Sequence, residues 1–142
     1  LAPALDRAFR GVVGIGAVEE AGSVSRALQV RAVPASGPVA VASRSHRDDA
    51  TNDWLAANGI TETRAAGSSL KFGLLAAGEA DVYPRFGPTM EWDTAAGEAV
   101  LRAAGGTVLT PDGAPFAYGK PAYRNGAFIA CAGFEPRSFT SG

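Results

Sequence analysis

From Val39 onward, short apolar runs alternate with stretches of helical spacing, and glycine or proline marks nearly every boundary. No other feature limits the fold so strongly, because strands that alternate with helices are best satisfied in a layered α/β structure. Val39 to Ala42 reads as a short apolar strand. Asp48 and Asp49 then supply an acidic first turn to a helix carrying Trp54, Leu55 and Ala56, which Asn58-Gly59 stops. Ile60 to Ala66 reads as a second strand, diluted by Glu62 and Arg64. Gly67-Ser68-Ser69 opens a helix through Ala77, with Leu70, Leu74 and Ala77 spaced along one face and Gly78 as its stop. Ala80 to Tyr83 reads as a strand closed by Pro84, and Phe86 to Met90 as a loop. Trp92-Asp93-Thr94 starts the clearest helix, which reaches Ala104 before Gly105-Gly106. Thr107 to Thr110, a Pro111-Asp112-Gly113 turn and the apolar run Ala127 to Ala132 complete the pattern.

The first 33 residues follow a different grammar. Residues 9 to 18 read as a strand weakened by glycines, and residues 27 to 33 alternate apolar and polar. Together they predict an antiparallel hairpin with a long turn, belonging to another sheet. Pro34-Ala35-Ser36-Gly37-Pro38 is the best linker in the chain, so the expected division is 1–33, 34–38 and 39–142. Alanine occurs 29 times in 142 residues and aromatics reach only 8%. Small residues on that scale imply close approach of helices to sheets, and Ala95, Ala96, Ala99, Ala103 and Ala104 are assigned to packing. Trp54 is expected to pack its helix, and Trp92 to wedge the helix that Asp93 begins.

Charge and reactive residues exclude several classes. Thirteen Lys and Arg against 14 Asp and Glu offer no basic footprint for nucleic acid and no polybasic membrane patch. A single cysteine, Cys131, excludes an internal disulfide, and its apolar neighbours read as those of an inert buried thiol. A single histidine, His46, excludes multi-histidine metal sites, and no nucleophile-elbow sequence is present for a serine hydrolase. No apolar run reaches the ~18 residues of a membrane span. Any metal held here must therefore be a hard cation on carboxylate oxygens.

Three segments carry candidate chemistry, each beside a plainer reading. Asp93, at a helix start, is an N-cap or an ionised ligand for Mg2+ aimed outward by the amide dipoles. Gly67-Ser68-Ser69 is an ordinary serine cap or the start of a phosphate cradle, with Lys71 about one turn into the helix and within reach of a bound anion. Arg44-Ser45-His46-Arg47 follows a strand end, where ligands collect in open α/β sheets, or is a polar loop.

Taken in order, these pieces resemble a known family. Gly67-Ser-Ser-Leu-Lys-Phe72, Ala80-Asp-Val-Tyr-Pro-Arg-Phe-Gly-Pro-Thr89 and Trp92-Asp-Thr-Ala-Ala-Gly97, followed by Ala103-Ala-Gly-Gly106, resemble the CysQ-type 3'(2'),5'-bisphosphate nucleotidases. These belong to the Mg2+-dependent, lithium-sensitive phosphatase superfamily of inositol monophosphatase. Ser43-Arg-Ser-His46 is similar to the family's segment at this place, and the likeness runs from about Phe9 to Ala132. The resemblance implies an αβαβα sandwich of which this chain forms the C-terminal αβα portion. It implies that Asp93 ligates the metal and lies against the substrate phosphate. Gly67, Ser68, Ser69 and Lys71 would face the nucleotide, with His46 near it. The implied reaction removes the 3'-phosphate of adenosine 3',5'-bisphosphate, and of its sulfated form, to give AMP and phosphate. The implied setting is the cytoplasm, with peripheral association at the inner membrane.

One departure is large. The family builds most of its metal site from an upstream glutamate and an Asp-Pro-(Ile/Leu)-Asp-Gly-Thr segment, and no such segment occurs in this sequence. The expectation is a C-terminal portion with one metal ligand, no catalytic residue that positions the attacking water, and negligible activity alone; an N-terminal half would complete the site. Two alternatives stand beside the nucleotidase: an inositol monophosphatase-like enzyme, and a non-catalytic nucleotide- or anion-binding α/β module.

Overall fold

The computed structural model describes residues 1–43, 48–67 and 70–137. The chain opens with three antiparallel strands, β1 (Arg7–Val12), β2 (Gly16–Ala21) and β3 (Val24–Leu28), paired in sequence order. This replaces the expected hairpin with a three-stranded meander. Residues 9 to 18 are not one strand, because Gly14 (φ 84°) and Gly16 (φ 145°) turn the chain in its middle. Gly22 (φ 56°) makes the second turn tight, so the polar stretch read as a long turn is itself β2 and β3.

The second sheet has five strands in the order β5-β4-β6-β10-β8. They are β4 (Val39–Ala42), β5 (Glu62–Ala65), β6 (Val82–Arg85), β8 (Thr107–Leu109) and β10 (Phe128–Cys131). β4 runs parallel to both β5 and β6, whereas β10 runs antiparallel to β6 and β8. A two-residue pair, β7 (Thr89–Met90) with β9 (Arg124–Asn125), stands beside it where a loop is expected. Pro84 does not close β6, which continues to Arg85. Val82 is the residue that pairs with β4, and Pro84 stands opposite Ile129 of β10.

Three helices complete the layers: α1 (Asp49–Ala57), α2 (Leu70–Ala76) and α3 (Glu91–Ala103). Alternation along the central strands sorts the core into two sides. Ala40, Val82, Ile129 and Cys131 face Trp54 and Leu55 of α1. Val41, Tyr83, Phe128 and Ala130 face the opposite side, with Phe72 and Leu75 of α2 and Leu101 of α3. Ala17 and Leu28 of the meander join that same cluster, so α2 and α3 lie between the two sheets. The order of layers is meander, α2 with α3, five-stranded sheet, α1.

Two sequence expectations about α3 are corrected. Ala95 and Ala96 are exposed, as is Trp92 at 66%, whose ring instead meets Tyr123 with centroids 6.1 Å apart. The helix turns them away from the core because Thr94, Glu98 and Leu101 occupy its buried stripe. Ala104 is buried as expected, and so is Trp54. Among the described residues no helix is long and apolar enough to cross a membrane.

Ion pairs clamp the meander to the layer beneath. Arg7 bonds to Glu19 and reaches Glu79, beyond the end of α2, at 2.5 Å; Arg26 meets Glu19 from the neighbouring strand, also at 2.5 Å. Burial pushes the Glu19 carboxyl upward, but its bonds to Arg7 and Arg26 outweigh this and hold it below its ordinary value of 4.5. A carboxyl depressed by folding contributes stability above its unfolded pKa and loses that contribution as pH falls through the folded value. Urea midpoints should therefore decline as pH falls below 4.5, and Glu19→Gln should flatten that decline. Equal slopes for the two proteins would remove Glu19 from the acid response.

Candidate functional site

The three parallel strands give the site its location. β4, β5 and β6 point the same way, and each leads from its C-terminal end toward a helix start: α1, α2 and α3 respectively. Residues far apart in sequence are thus delivered to one sheet edge, which is where ligands collect in open α/β sheets. Asp48 follows β4, Gly67 and Lys71 follow β5, and Arg85 and Asp93 end and follow β6.

Asp93 sits at the third position of α3, not at its cap, since the helix begins at Glu91 and Met90 is the N-cap. Its Oδ2 accepts the Met90 N–H at 2.8 Å, which satisfies a backbone donor just outside the helix. The residue is exposed. A carboxylate carries lone pairs on both oxygens, so this one bond leaves acceptor capacity for an outside partner.

Lys71 is almost fully buried at 3% exposure, in the first turn of α2, and its Nζ stands 5.0 Å from the centre of the Tyr83 ring. Burial lowers its pKa, and the nearby Arg85 charge lowers it further. The Tyr83 pKa, in contrast, is pushed up by burial, drawn down by Arg85 and pushed up by Asp93, so both charges lie within electrostatic reach of its hydroxyl. The Arg85 guanidinium donates to the carbonyls of Gly87 and Pro88, each at 3.3 Å, which holds it beside the turn that follows β6. On its other side lies Asp48: a Cβ added to Gly87 would fall 3.5 Å from Asp48 Oδ2 and 3.6 Å from Arg85 Nε. The Asp48 carboxyl caps α1 by accepting the Thr51 N–H at 2.9 Å. Its hydrogen bonds to Thr51 hold it below its usual value, with a smaller contribution from Arg85.

The arrangement has a clear chemical sense. Two cations, one buried and one half-buried, stand close enough for the Arg85 charge to be felt at Lys71. An anion bound near them would be attracted by both charges. Gly67 is exposed, and among the described residues a Cβ placed there would meet nothing within 4 Å. His46, Ser68 and Ser69, together with Arg44, Ser45 and Arg47, lie outside the described residues. Arg85 is the residue that sequence reasoning misses. Its signal is a cation in the last position of a parallel strand, directly before a Phe-Gly-Pro turn. Cys131 carries no chemistry here, since burial pushes its thiol up to about 12.

Among the described residues no group of three or more His, Cys, Asp or Glu could hold a metal ion. Asp93 fits one oxygen corner of a site for a hard divalent cation, and the described residues do not make up the remaining corners.

Comparison with known proteins gives a consistent answer. The chain is 45% identical over 117 residues to the 3'(2'),5'-bisphosphate nucleotidase CysQ of Escherichia coli (strain K12), covering 82% of this chain and 46% of that protein. It is 66% identical over 67 residues to an uncharacterized protein in the pss 5' region of Rhizobium leguminosarum bv. phaseoli, covering 47% of this chain and 70% of that one. The crystal structure of CysQ from Bacteroides thetaiotaomicron superposes with a TM-score of 0.72 at 38% identity, over 86% of this chain and 52% of that one. An inositol monophosphatase from Anabaena superposes with a TM-score of 0.70 at 29% identity, over 92% of this chain and 51% of that one. The chain thus spans about half the length of the CysQ proteins it matches. A model of the inositol monophosphatase family matches residues 1–136, nearly the whole sequence, and by this match and the shared fold the chain belongs to that family.

Proposed function

We propose that this chain forms the substrate-facing half of a Mg2+-dependent phosphatase that removes the 3'-phosphate from adenosine 3',5'-bisphosphate. What carries this reading is the convergence of Lys71, Arg85 and Asp93 around Tyr83, in a chain 45% identical to a CysQ nucleotidase. Lys71 and Arg85 bind and orient the phosphate, each drawn to the shared anion. Gly67 lets the nucleotide approach the backbone. His46, Ser68 and Ser69 are given nucleotide-facing roles by their sequence motifs alone. Asp93 supplies one carboxylate ligand to the cation, with its direction set by the bond to Met90 N–H. A bound divalent cation supplies charge neutralisation at the phosphoryl oxygens. The other carboxylates, and the residues that position water, come from sequence equivalent to the half of CysQ that this chain does not span. The setting is the cytoplasm.

The test compares the complete protein with its Asp93→Asn variant and with the 142-residue chain alone. Adenosine 3',5'-bisphosphate and an inositol monophosphate serve as substrates. Loss of one cation ligand at the reacting centre should lower kcat by about 100-fold, equivalent to ~2.7 kcal/mol. The amide keeps an oxygen for the Met90 N–H, so thermal stability should hardly change. The chain alone should show negligible turnover. An Asp93→Asn enzyme with wild-type kcat would take Asp93 out of the metal site. Preference for the inositol phosphate would replace the nucleotide assignment with the inositol one.

A further inference from the structure

The loop from Phe116 to Asn125 is tied to the start of α3 by more bonds than a surface connection requires. Glu91, the first residue of α3, turns both carboxylate oxygens to this loop. Oε2 accepts from Gly119 N–H at 3.1 Å and Oε1 from Lys120 N–H at 2.8 Å, with Lys120 Nζ at 3.4 Å. Glu91 is only 8% exposed, so these charge-assisted bonds act with little competition from water. The Lys120 ammonium lies 4.1 Å from the centre of the Phe116 ring and 3.1 Å from Asn125 Oδ1. Asn125 is buried in turn and donates to Thr89 Oγ1 at 3.1 Å and to Thr94 Oγ1 at 3.2 Å. The ties therefore reach residue 89, residue 91 and residue 94, on both sides of Asp93.

A second observation agrees. Between the anchors at Lys120 and Asn125, Ala122 (φ 53°) and Tyr123 (φ 54°) both adopt left-handed backbone, although neither is glycine. Consecutive non-glycine residues persist in that region only when their surroundings hold them there. The loop is under tension, and its anchors are the same groups that grip the first turn of α3.

We infer that Glu91 and Lys120 are positioning residues: with Asn125 they form a strap that fixes the first turn of α3 and thereby the direction of the Asp93 carboxylate. The inference rests on the reading of Asp93 as a cation ligand, and concerns residues that act through Asp93. A carboxylate that coordinates a hard cation must be held to within about half an ångström, and groups that orient a ligand are typically worth 10- to 100-fold in metal affinity.

The experiment uses the complete protein with Glu91→Ala, Glu91→Gln and Lys120→Met. Hydrogen exchange at the Gly119 and Lys120 amides and in the first turn of α3 is followed by mass spectrometry. Activity is titrated with Mg2+. Glu91→Ala should speed exchange in both segments and raise the Mg2+ concentration for half-maximal activity about 10-fold. The KM for nucleotide at saturating Mg2+ should stay within about twofold of wild type, since a cation ligand and not a substrate contact has been loosened. Glu91→Gln keeps the size and one carbonyl acceptor, so it should fold and give a smaller shift of the same kind; Lys120→Met should reproduce it. Faster exchange with an unchanged Mg2+ requirement, or a shift in nucleotide KM alone, would reduce the strap to a structural tie and overturn the inference. A wild-type protein without Mg2+-dependent phosphatase activity would instead overturn the reading of the site, and the inference with it.

Discussion

Replacing Asp81 with alanine should cost the fold about 3–5 kcal/mol, the range for leaving a buried ionic partner uncompensated. Asp81 is fully buried. Arg31 donates to its two oxygens at 2.9 and 2.8 Å, and the Val39 N–H donates to Oδ2 at 2.8 Å. Its own backbone pairs with Val39 and Ala132. A single carboxylate therefore gathers the segment after the meander, the first residue of β4 and the entry to β6. Arginine stays charged whether or not its acid is present, so removing Asp81 leaves a charged guanidinium that is only one-third exposed. Asp81→Asn should cost less, because one amide oxygen still accepts the Val39 N–H. Replacing both Arg31 and Asp81 with apolar residues should cost less than Asp81→Ala alone, since no orphaned charge remains. Urea denaturation of the three variants measures this directly. An Asp81→Ala loss under about 1 kcal/mol would show that the pair is not a keystone of the β4–β6 edge.

The second large effect is expected between α2 and α3. Phe72 is buried at 2% exposure, stacked on Phe128 at 5.9 Å and edge-on to Tyr83 at 5.4 Å, so it supports the ring beneath Lys71. Phe72→Ala should destabilise by about 3–5 kcal/mol, as removal of a buried aromatic does. α3 approaches this ring only because residue 97 is glycine: a Cβ there would lie 2.5 Å from Phe72 Cδ2 and 2.8 Å from Cγ. Gly97→Ala should thus cost about 1–3 kcal/mol by overpacking, although alanine is intrinsically the better helix former by about 1 kcal/mol. In the Phe72→Ala background the ring contacts are gone and only the residue-72 Cβ stays close, at 3.0 Å, so Gly97→Ala should cost clearly less there. A double-mutant cycle reads the coupling. Additive losses would mean that the helices separate freely and that Gly97 does not set their distance.

How much of this was legible beforehand depends on the range of the interaction concerned. β4 reads correctly from four contiguous apolar residues, and α1 from the acidic pair Asp48-Asp49 and the Asn58-Gly59 stop, although Asp48 proves to be the cap and not part of the first turn. α3 reads correctly to within a residue or two at either end. These are signals carried by neighbours along the chain. The turn between β1 and β2 is hidden because Val13 and Ile15 continue the apolar pattern across it, while the positive φ of Gly14 and Gly16 breaks the strand. The two-residue strands β7 and β9 have no periodicity to detect. Trp92 and Ala95 look like core residues by type, yet they face outward, because the buried stripe of α3 is chosen by what the sheets present to it.

The amino-acid order alone determined the α/β alternation, the family motifs and the identity of Asp93 and Lys71 as candidates, because each rests on residues within a turn or two of one another. Tertiary structure alone decided that Arg85 joins Lys71 and Asp93 about Tyr83, that Arg31 meets Asp81 fifty positions away, and that Glu91 grips a loop almost thirty residues downstream. Those encounters depend on strand register and on how closely helices approach one another, and both emerge only when the whole core packs at once.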